Sequence, residues 1–462
     1  MNDWFDAEQH VDRAHQFFED GRWADAESEL REALSLNPYR AEWHFNLGLT
    51  LEAAGRYDEA SKAFLDCHAL DAEDPEAVLR AGASLLRAGK AREALPWLDL
   101  AEKARPQDAQ AFVHRIEAHA RLGDHEQAEV MFYMAQQIDP RNPDAYALLA
   151  DSLMDRGMYE KAVWCLREAA NLDPSMPGVH ARLAEAYAAT GRQERARQLY
   201  LRELRNDPGD VNTLMDLGCL LADMNRLPEA AEKFRRVLEL ESDHADAHFE
   251  LAEIAARQGQ AAAALEGLGV VLRLDPAHSP ARRRAATLLL QRGAPGDDAH
   301  AAELLEQEVE DFRQAPAAFS PGDLADLGET LLDAGRAAQA RTVLERLADA
   351  QPEDPRAVHL LSVALLEVGD RGAGIDACRR VLKLDPKHVR AMHNLAVAYT
   401  REKQWSKARY WTRQALLVDP DDAALRHLRL KLRLHTLAEG AALVCTPINL
   451  LVTRLRRRRG GR

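Results

Sequence analysis

Positions spaced by 34 residues run through this chain without a break, from Ala7 through Ala41, Pro75, Ala109, Pro143, Pro177, Val211 and Ala245 to Ser279. The next step, to Pro321, is 42 residues, and the spacing of 34 then resumes at Pro355, Val389 and Ala423. Twelve repeats therefore cover residues 7 to about 422. A fixed period of this length describes one small structural unit stacked on copies of itself, because a single unit cannot bury its apolar face alone.

What recurs inside the period has a packing reason. Counting the first position as offset 1, offset 8 is small in Ala14, Gly48, Gly82, Ala150, Ala184, Gly218, Ala252, Gly328 and Ala396, with Ile116 an exception. Offset 20 is Ala in Ala26, Ala60, Ala94, Ala128, Ala162, Ala196, Ala230, Ala264, Ala340 and Ala408. Two antiparallel helices approach closely only where facing side chains are this short. Gly recurs at offset 15, as in Gly21, Gly55, Gly89 and Gly123, and supplies a left-handed stop after a first helix. Asn225 and Lys403 stand at that offset in repeats seven and twelve. Pro at offset 32, as in Pro38, Pro106, Pro140 and Pro174, ends a second helix. Bulky residues at offset 24, among them Leu30, Phe64, Leu98, Phe132 and Phe234, are expected to fill the space between neighbouring units.

Repeat two, AEWHFNLGLTLEAAGRYDEASKAFLDCHAL, resembles the tetratricopeptide repeat, and the resemblance covers about nine-tenths of the chain. It implies an all-α fold, a right-handed superhelical solenoid of about twelve helix-turn-helix units with a concave inner groove. Eight contiguous units are expected over residues 1–278, an irregular ninth over 279–320, three more over 321–422, a capping helix over 423–440 and a tail over 441–462. The ninth unit carries eight extra residues between Gly293 and Pro321, read as a longer or displaced second helix near His300–Arg313 with Leu304, Leu305, Val309 and Phe312.

Catalysis needs side chains left over once the repeats have taken theirs, and few remain. There is no GxGxxG after a strand, no GxxxxGK[ST], no GxSxG and no HExxH. The five Cys are scattered without a CxxC pair, which predicts neither a disulfide framework nor a zinc site and points to a reducing compartment. His244 and His248 are four residues apart but straddle a helix start, so they are read as structural rather than metal-binding. No enzyme activity, cofactor or metal is expected. The start of the sequence lacks an apolar secretion segment, and no run of 18 apolar residues could span a bilayer, so a cytoplasmic protein is expected. Acidic side chains outnumber basic ones by 75 to 60, against general nucleic-acid binding.

In the family that the sequence resembles, first-helix offsets 2, 5, 6, 9, 12 and 13 line the groove. Some relatives hold a terminal carboxylate with a Lys/Asn set across three repeats; here those positions read Val11, His15, Asn46, Glu76 and Arg80, and both Lys are lost. An Asn ladder at offset 6 survives only at Asn46 and Asn394. Charge is what emerges. Repeats five to eight place Asp144, Asp151, Asp155, Glu185, Asp216, Asp223, Asp246, Glu250 and Glu253 at inner offsets, opposed by Arg182 and Arg257, with a basic step just beyond at Arg282, Arg283 and Arg284. Such a wall favours Lys/Arg-rich partner segments.

The C-terminal end differs. Residues 426–462 hold ten Lys or Arg and one acid, Glu439, a local +9 in a chain whose total is -15, which leaves -24 on the rest. Leu alternates with basic residues from Leu425 to Leu437, a strand-like period, yet a solenoid end needs an amphipathic lid, so a helix is expected there. An apolar run over 441–452 precedes Arg454, Arg456, Arg457, Arg458 and Arg459. This tail fits a solubilising end, an anchor touching anionic lipid, or a contact with RNA or an acidic surface, including the protein's own groove. The reading as a whole is a scaffold holding peptide segments or partner domains in its groove. The alternatives are a membrane-peripheral assembly or trafficking factor using the tail, and the regulatory subunit of a separately encoded enzyme.

Overall fold

The computed structural model describes residues 2–435. The apolar run and the arginines at 454 and 456–459 lie outside them. Among the described residues the chain is helical, with no strand. Each repeat is an antiparallel pair, such as Ala41–Ala53 with Tyr57–Leu70 in repeat two and Pro143–Asp155 with Tyr159–Leu172 in repeat five. This is a helical repeat solenoid.

Backbone chemistry sets the helix ends. In repeat two Gly55 sits at φ +74°, and the Arg56 N–H donates to the Leu51 carbonyl at 2.9 Å, closing the first helix. Asn225 and Lys403 adopt the same left-handed conformation, at φ 58° and 59°. Their neighbours Arg226 and Gln404 donate back to Leu221 and Tyr399, each at 2.8 Å. The stop is therefore kept where glycine is absent, readily by Asn225 and at a local cost of about 1 kcal/mol by Lys403. The next first helix starts on a side-chain cap: Asp74 accepts from the Glu76 N–H at 2.9 Å, with Pro75 in the first turn.

Inside a pair, a large residue at offset 24 lies on a small one at offset 8. A Cβ on Gly48 would sit 2.6 Å from the Phe64 ring, and one on Gly218 would sit 2.5 Å from Phe234. Offset 24 thus fills space within its own repeat, which corrects the expectation that it works mainly between units. It also reaches the next repeat, as where Phe132 meets Tyr146 edge-on at 5.1 Å between centroids. The offset-20 alanines, Ala162 among them, have no exposed surface.

The chain divides into two compact units, one ending at Ser242 and the other beginning at Asp243. In the first unit Phe64, Leu98, Leu166 and Phe234 are fully buried. In the second, Leu268, Leu305, Leu327 and Leu344 share one continuous core.

The ninth repeat is built differently. Its second helix, Asp297–Gln314, has 18 residues where that of repeat eight, Ala261–Leu274, has 14. Leu304, Leu305, Val309 and Phe312 are buried. Its start is pinned by Asp297, whose carboxylate accepts from Arg292 at 2.6 and 2.8 Å and from the Ala294 N–H at 2.9 Å. The Arg292 guanidinium holds that carboxyl down at about 2. Farther along, Glu308 is wholly buried between two arginines: Arg283 Nη1 lies 2.8 Å from one carboxylate oxygen and Arg282 Nε 3.2 Å from the other. Arg282 also reaches Asp311 at 2.5 Å, and Arg283 reaches Asp323. The extra residues are thus tied to the preceding helix by buried charge.

A helix over residues 423–435 follows the twelfth repeat. Leu425, Leu428 and Leu432 are buried while Leu430 and Leu434 are exposed, so a helical stripe and not the period-two alternation decides its packing. Leu425 joins Met392 and Ala415, while Leu428 and Leu432 join Tyr399 and Ala408.

Two stability measurements check this architecture. Ala162→Leu overpacks a helix contact and is expected to lower unfolding stability by about 1–3 kcal/mol, read as a shift in the urea midpoint. Glu308→Ala removes the buried carboxylate that two buried guanidinium groups share, leaving each with one carboxylate partner, Asp311 or Asp323, and should cost about 3 kcal/mol. Hydrogen exchange should localise that loss to residues 279–323.

Candidate functional site

First helices of several successive repeats touch, as Ala109–Arg121 does Pro143–Asp155 and Val179–Ala189 does Val211–Asp223 in the first unit, and Ser279–Arg292 does Pro321–Asp333 in the second. In the first unit, Asn46 borders a small, mostly apolar cleft of about 190 Å³ with Val11, His15 and Phe18. Arg80 is engaged within the protein, its Nε 3.1 Å from Glu76 and its Nη1 3.3 Å from Glu52.

Repeats five to seven bring four carboxylates together. Asp151 and Asp155 come from Pro143–Asp155, Glu185 from Val179–Ala189 and Asp216 from Val211–Asp223. Glu185 is exposed, yet partial desolvation by the surrounding helices raises its carboxyl above the ordinary range, and the charges of Asp216, Asp151 and Asp155 push it further. Asp151 is raised by burial, with Asp155 adding to the effect, even though Arg182 Nη1 stands 3.1 Å away and opposes it. Asp216, also exposed, is raised by partial desolvation and by Asp210. The Tyr200 phenol, on the intervening helix Gln193–Asn206, is pushed up by burial and then by Asp216 and Glu185. These carboxylates therefore repel one another. Asp144 and Asp223 are exposed on the same helices.

In the second unit, a cleft of about 560 Å³ is lined by Glu250, Glu253 and Arg257 together with Asp326, Glu329 and Asp333. Arg284 Nε lies 2.5 Å from Glu253, so this cation and anion offset each other. Arg283 borders the cleft but is buried in its pairs with Glu308 and Asp323; the expected basic step is corrected, because two of its three arginines hold the ninth repeat together. Asp246 lies 3.3 Å from His278 Nε2.

A second cleft, about 730 Å³, continues from the first: Glu329 and Asp333 line both. Its other wall carries Arg356, His359, Lys387, His388 and Arg390. The His359 and His388 rings lie 4.6 Å apart between centroids. His388 Nδ1 accepts from the Ala391 N–H at 3.1 Å, which caps a helix. His359 is 9% exposed, and its Nδ1 has no hydrogen-bond partner. Burial, then the nearby His388 and Arg390, hold its imidazole down at about 4. Sequence reasoning missed this cleft. The signal was present, since Arg356 and Arg390 share inner offset 2 in adjacent repeats and Asp326, Glu329 and Asp333 occupy offsets 6, 9 and 13.

Several residues that invite chemistry have structural work instead. His244 Nδ1 accepts from the Ala247 N–H at 3.3 Å as a helix cap. The Cys67 and Cys378 thiols are buried and pushed up to about 11, which leaves little thiolate. Among the described residues no helix is long and apolar enough to cross a membrane.

A tetratricopeptide repeat profile matches residues 11–77, 79–143, 147–211, 215–269 and 325–370, and a second profile of the same repeat matches 365–432. The chain belongs to the tetratricopeptide repeat family. Proteins of this family typically serve as protein–protein interaction scaffolds and complex subunits, generally without catalytic activity. Similar solved structures include the APC/C hetero-tetramer Cut9-Hcn1, 14% identical, covering 91% of this chain and 95% of that one with a TM-score of 0.43. Yeast Tom70 is 15% identical over 95% of this chain and 96% of its own, with a TM-score of 0.39. A tetratricopeptide repeat protein from Parabacteroides merdae is 16% identical over 54% of this chain and 99% of its own, with a TM-score of 0.46. Among curated proteins, none matches the chain.

The raised Glu185 carboxyl has a sign that can be checked. A carboxyl whose folded pKa lies above its unfolded value favours folding while protonated, and that contribution is lost as pH rises through the two values. Glu185→Gln should therefore raise the melting temperature at pH 7. The gain should vanish below the unfolded carboxylate range, about pH 4.

Proposed function

We propose that this protein is a non-enzymatic scaffold that holds Lys/Arg-rich segments of partner proteins along the inner face of its helix pairs. The observation that supports this reading most directly is the convergence of Asp151, Asp155, Glu185 and Asp216 from three successive repeats. Like charges gathered this way oppose folding, and Arg182 offsets them only at Asp151. A basic segment laid across them would relieve the repulsion and gain affinity from it. In the second unit Asp326 and Asp333 also stand at inner positions, whereas Glu253 and Glu329 are paired with Arg284 and Arg356, so the first unit carries the stronger preference.

Binding can be followed by fluorescence anisotropy with a Lys/Arg-rich peptide and an Asp/Glu-rich one of equal length. The basic peptide should bind the more tightly, and its affinity should fall roughly tenfold or more between low salt and about 0.5 M, where exposed charges are screened within a few ångströms. The triple variant Asp155→Asn, Glu185→Gln, Asp216→Asn should weaken it similarly at low salt. Affinity that ignores both salt and the triple variant would contradict the proposal.

A further inference from the structure

The helix over residues 423–435 takes the place of a first helix, since Ala423 stands 34 residues after Val389. Leu425, Leu428 and Leu432 pack it onto the twelfth repeat. In complete repeats the other side of a first helix receives a second helix. Repeat two has Leu47, Gly48 and Leu51 at offsets 7, 8 and 11, all buried, and both leucines share a core with Ala60 and Phe64. Repeat seven has Leu217, Gly218 and Leu221 there, again buried. The terminal helix has Arg429, Leu430 and Arg433 instead. A second helix nests badly on such a side. A side chain of leucine size takes the space that Gly48 leaves for Phe64, and two guanidinium groups would be buried without partners.

That side is open and of one character. Leu430 and Leu434 are 55% and 57% exposed. At about 100° of rotation per residue they lie about 40° apart, opposite the buried stripe, with Arg433 and Lys431 about 60° to either side. A solenoid end is kept soluble by a polar outer face, and here two leucines take the centre of it. No acidic residue occurs from 423 to 435. The two acids just before the helix are engaged: Asp422 accepts from the Leu425 N–H at 2.9 Å, and Asp421 lies 3.7 Å from Arg426. Arg429, Lys431 and Arg433 are exposed and have no ion-pair partner among the described residues.

We infer that the outer face of this terminal helix docks on the surface of an anionic phospholipid bilayer. Leu430 and Leu434 enter the headgroup boundary while Arg429, Lys431 and Arg433 stay at the level of the phosphates. Such a surface offers negative charge and an apolar layer beneath it, the two things that this face lacks within the protein. A nucleic acid offers the charge without the apolar layer. The sequence that follows repeats the combination, with the apolar run 441–452 and then Arg454 and Arg456 to Arg459. Its charge has the same sign as the helix, so it adds to the attraction for lipid and cannot neutralise the helix. The inference is independent of the basic-segment reading of the inner face, and either can fail alone.

Sedimentation of the full chain with vesicles tests it. The protein should pellet with phosphatidylcholine vesicles containing about one-third phosphatidylserine, and not with phosphatidylcholine alone. The double variant Leu430→Ser, Leu434→Ser and the triple variant Arg429→Gln, Lys431→Gln, Arg433→Gln should each lower that partitioning about tenfold. All five side chains are exposed, so both variants should melt as the parent does. Equal recovery with the two vesicle types overturns the inference, as does undiminished binding by either variant, which would leave the arginines beyond residue 453 as the whole attraction. A short RNA that displaces the protein from the anionic vesicles overturns it in favour of a nucleic-acid contact. A lowered melting temperature of the serine variant without lipid overturns it too, because the leucines would then be covered by this chain itself.

Discussion

The close approach of two helices within each repeat is the contact on which everything else in this protein depends. Gly48 and Gly218 leave room for aromatic rings that a single methyl group would displace, and the offset-20 alanines are wholly buried in the same helix pairs. Because dispersion and apolar burial both fall off steeply with separation, a pair held this tightly behaves as one rigid block. Such a block still has an apolar flank. Leu98 and Phe132 cover it in their own repeats and, through neighbours such as Tyr146, in the next. Stability is therefore assembled locally, repeat by repeat, and long-range chain contacts are not required.

That division of labour frees the inner side of the first helices. Side chains at offsets 8, 20 and 24 are committed to packing, whereas Asp151, Glu185 and Asp216 are not, and they gather into a surface whose charges oppose one another. A folded protein tolerates such repulsion because the cost is small beside the burial of each helix pair. The ninth repeat shows the contrary use of charge. Arg282, Arg283 and Glu308 sit inside the protein, where desolvation is costly and mutual pairing offsets it. One local stretch of basic sequence, Arg282 to Arg284, is thereby divided between a buried structural role and the cleft wall.

Most of the fold could be read from residues alone. The 34-residue spacing, the small residues at two offsets, and glycine or asparagine at the turn named the helix pairs, because each reflects a steric demand local to one repeat. That Asp151, Asp155, Glu185 and Asp216 stand on first helices was likewise legible, since an offset is a property of position along a helix; that Asp246 and Glu253 of repeat eight are engaged by His278 and Arg284 was not. The paired rings inside the His359 cleft were not. Its two histidines stand at different offsets, and nothing in the order of residues says that one ring is buried beside the other while a ring nitrogen lacks a partner. The burial of Arg283 was equally hidden, because its partners Glu308 and Asp323 lie 25 and 40 residues away across an insertion that breaks the period.

The order of residues by itself determined the repeat, its helix ends and which positions pack, since these follow from side-chain size and backbone freedom within a few turns of helix. Only the tertiary structure decided which charges are spent and which are available. A guanidinium paired with a buried carboxylate and one facing open solvent are the same letter in the sequence. What separates Arg283 from Arg390 is the dielectric around it and the distance to its nearest anion, and both are set by how helices from different repeats come to lie against one another.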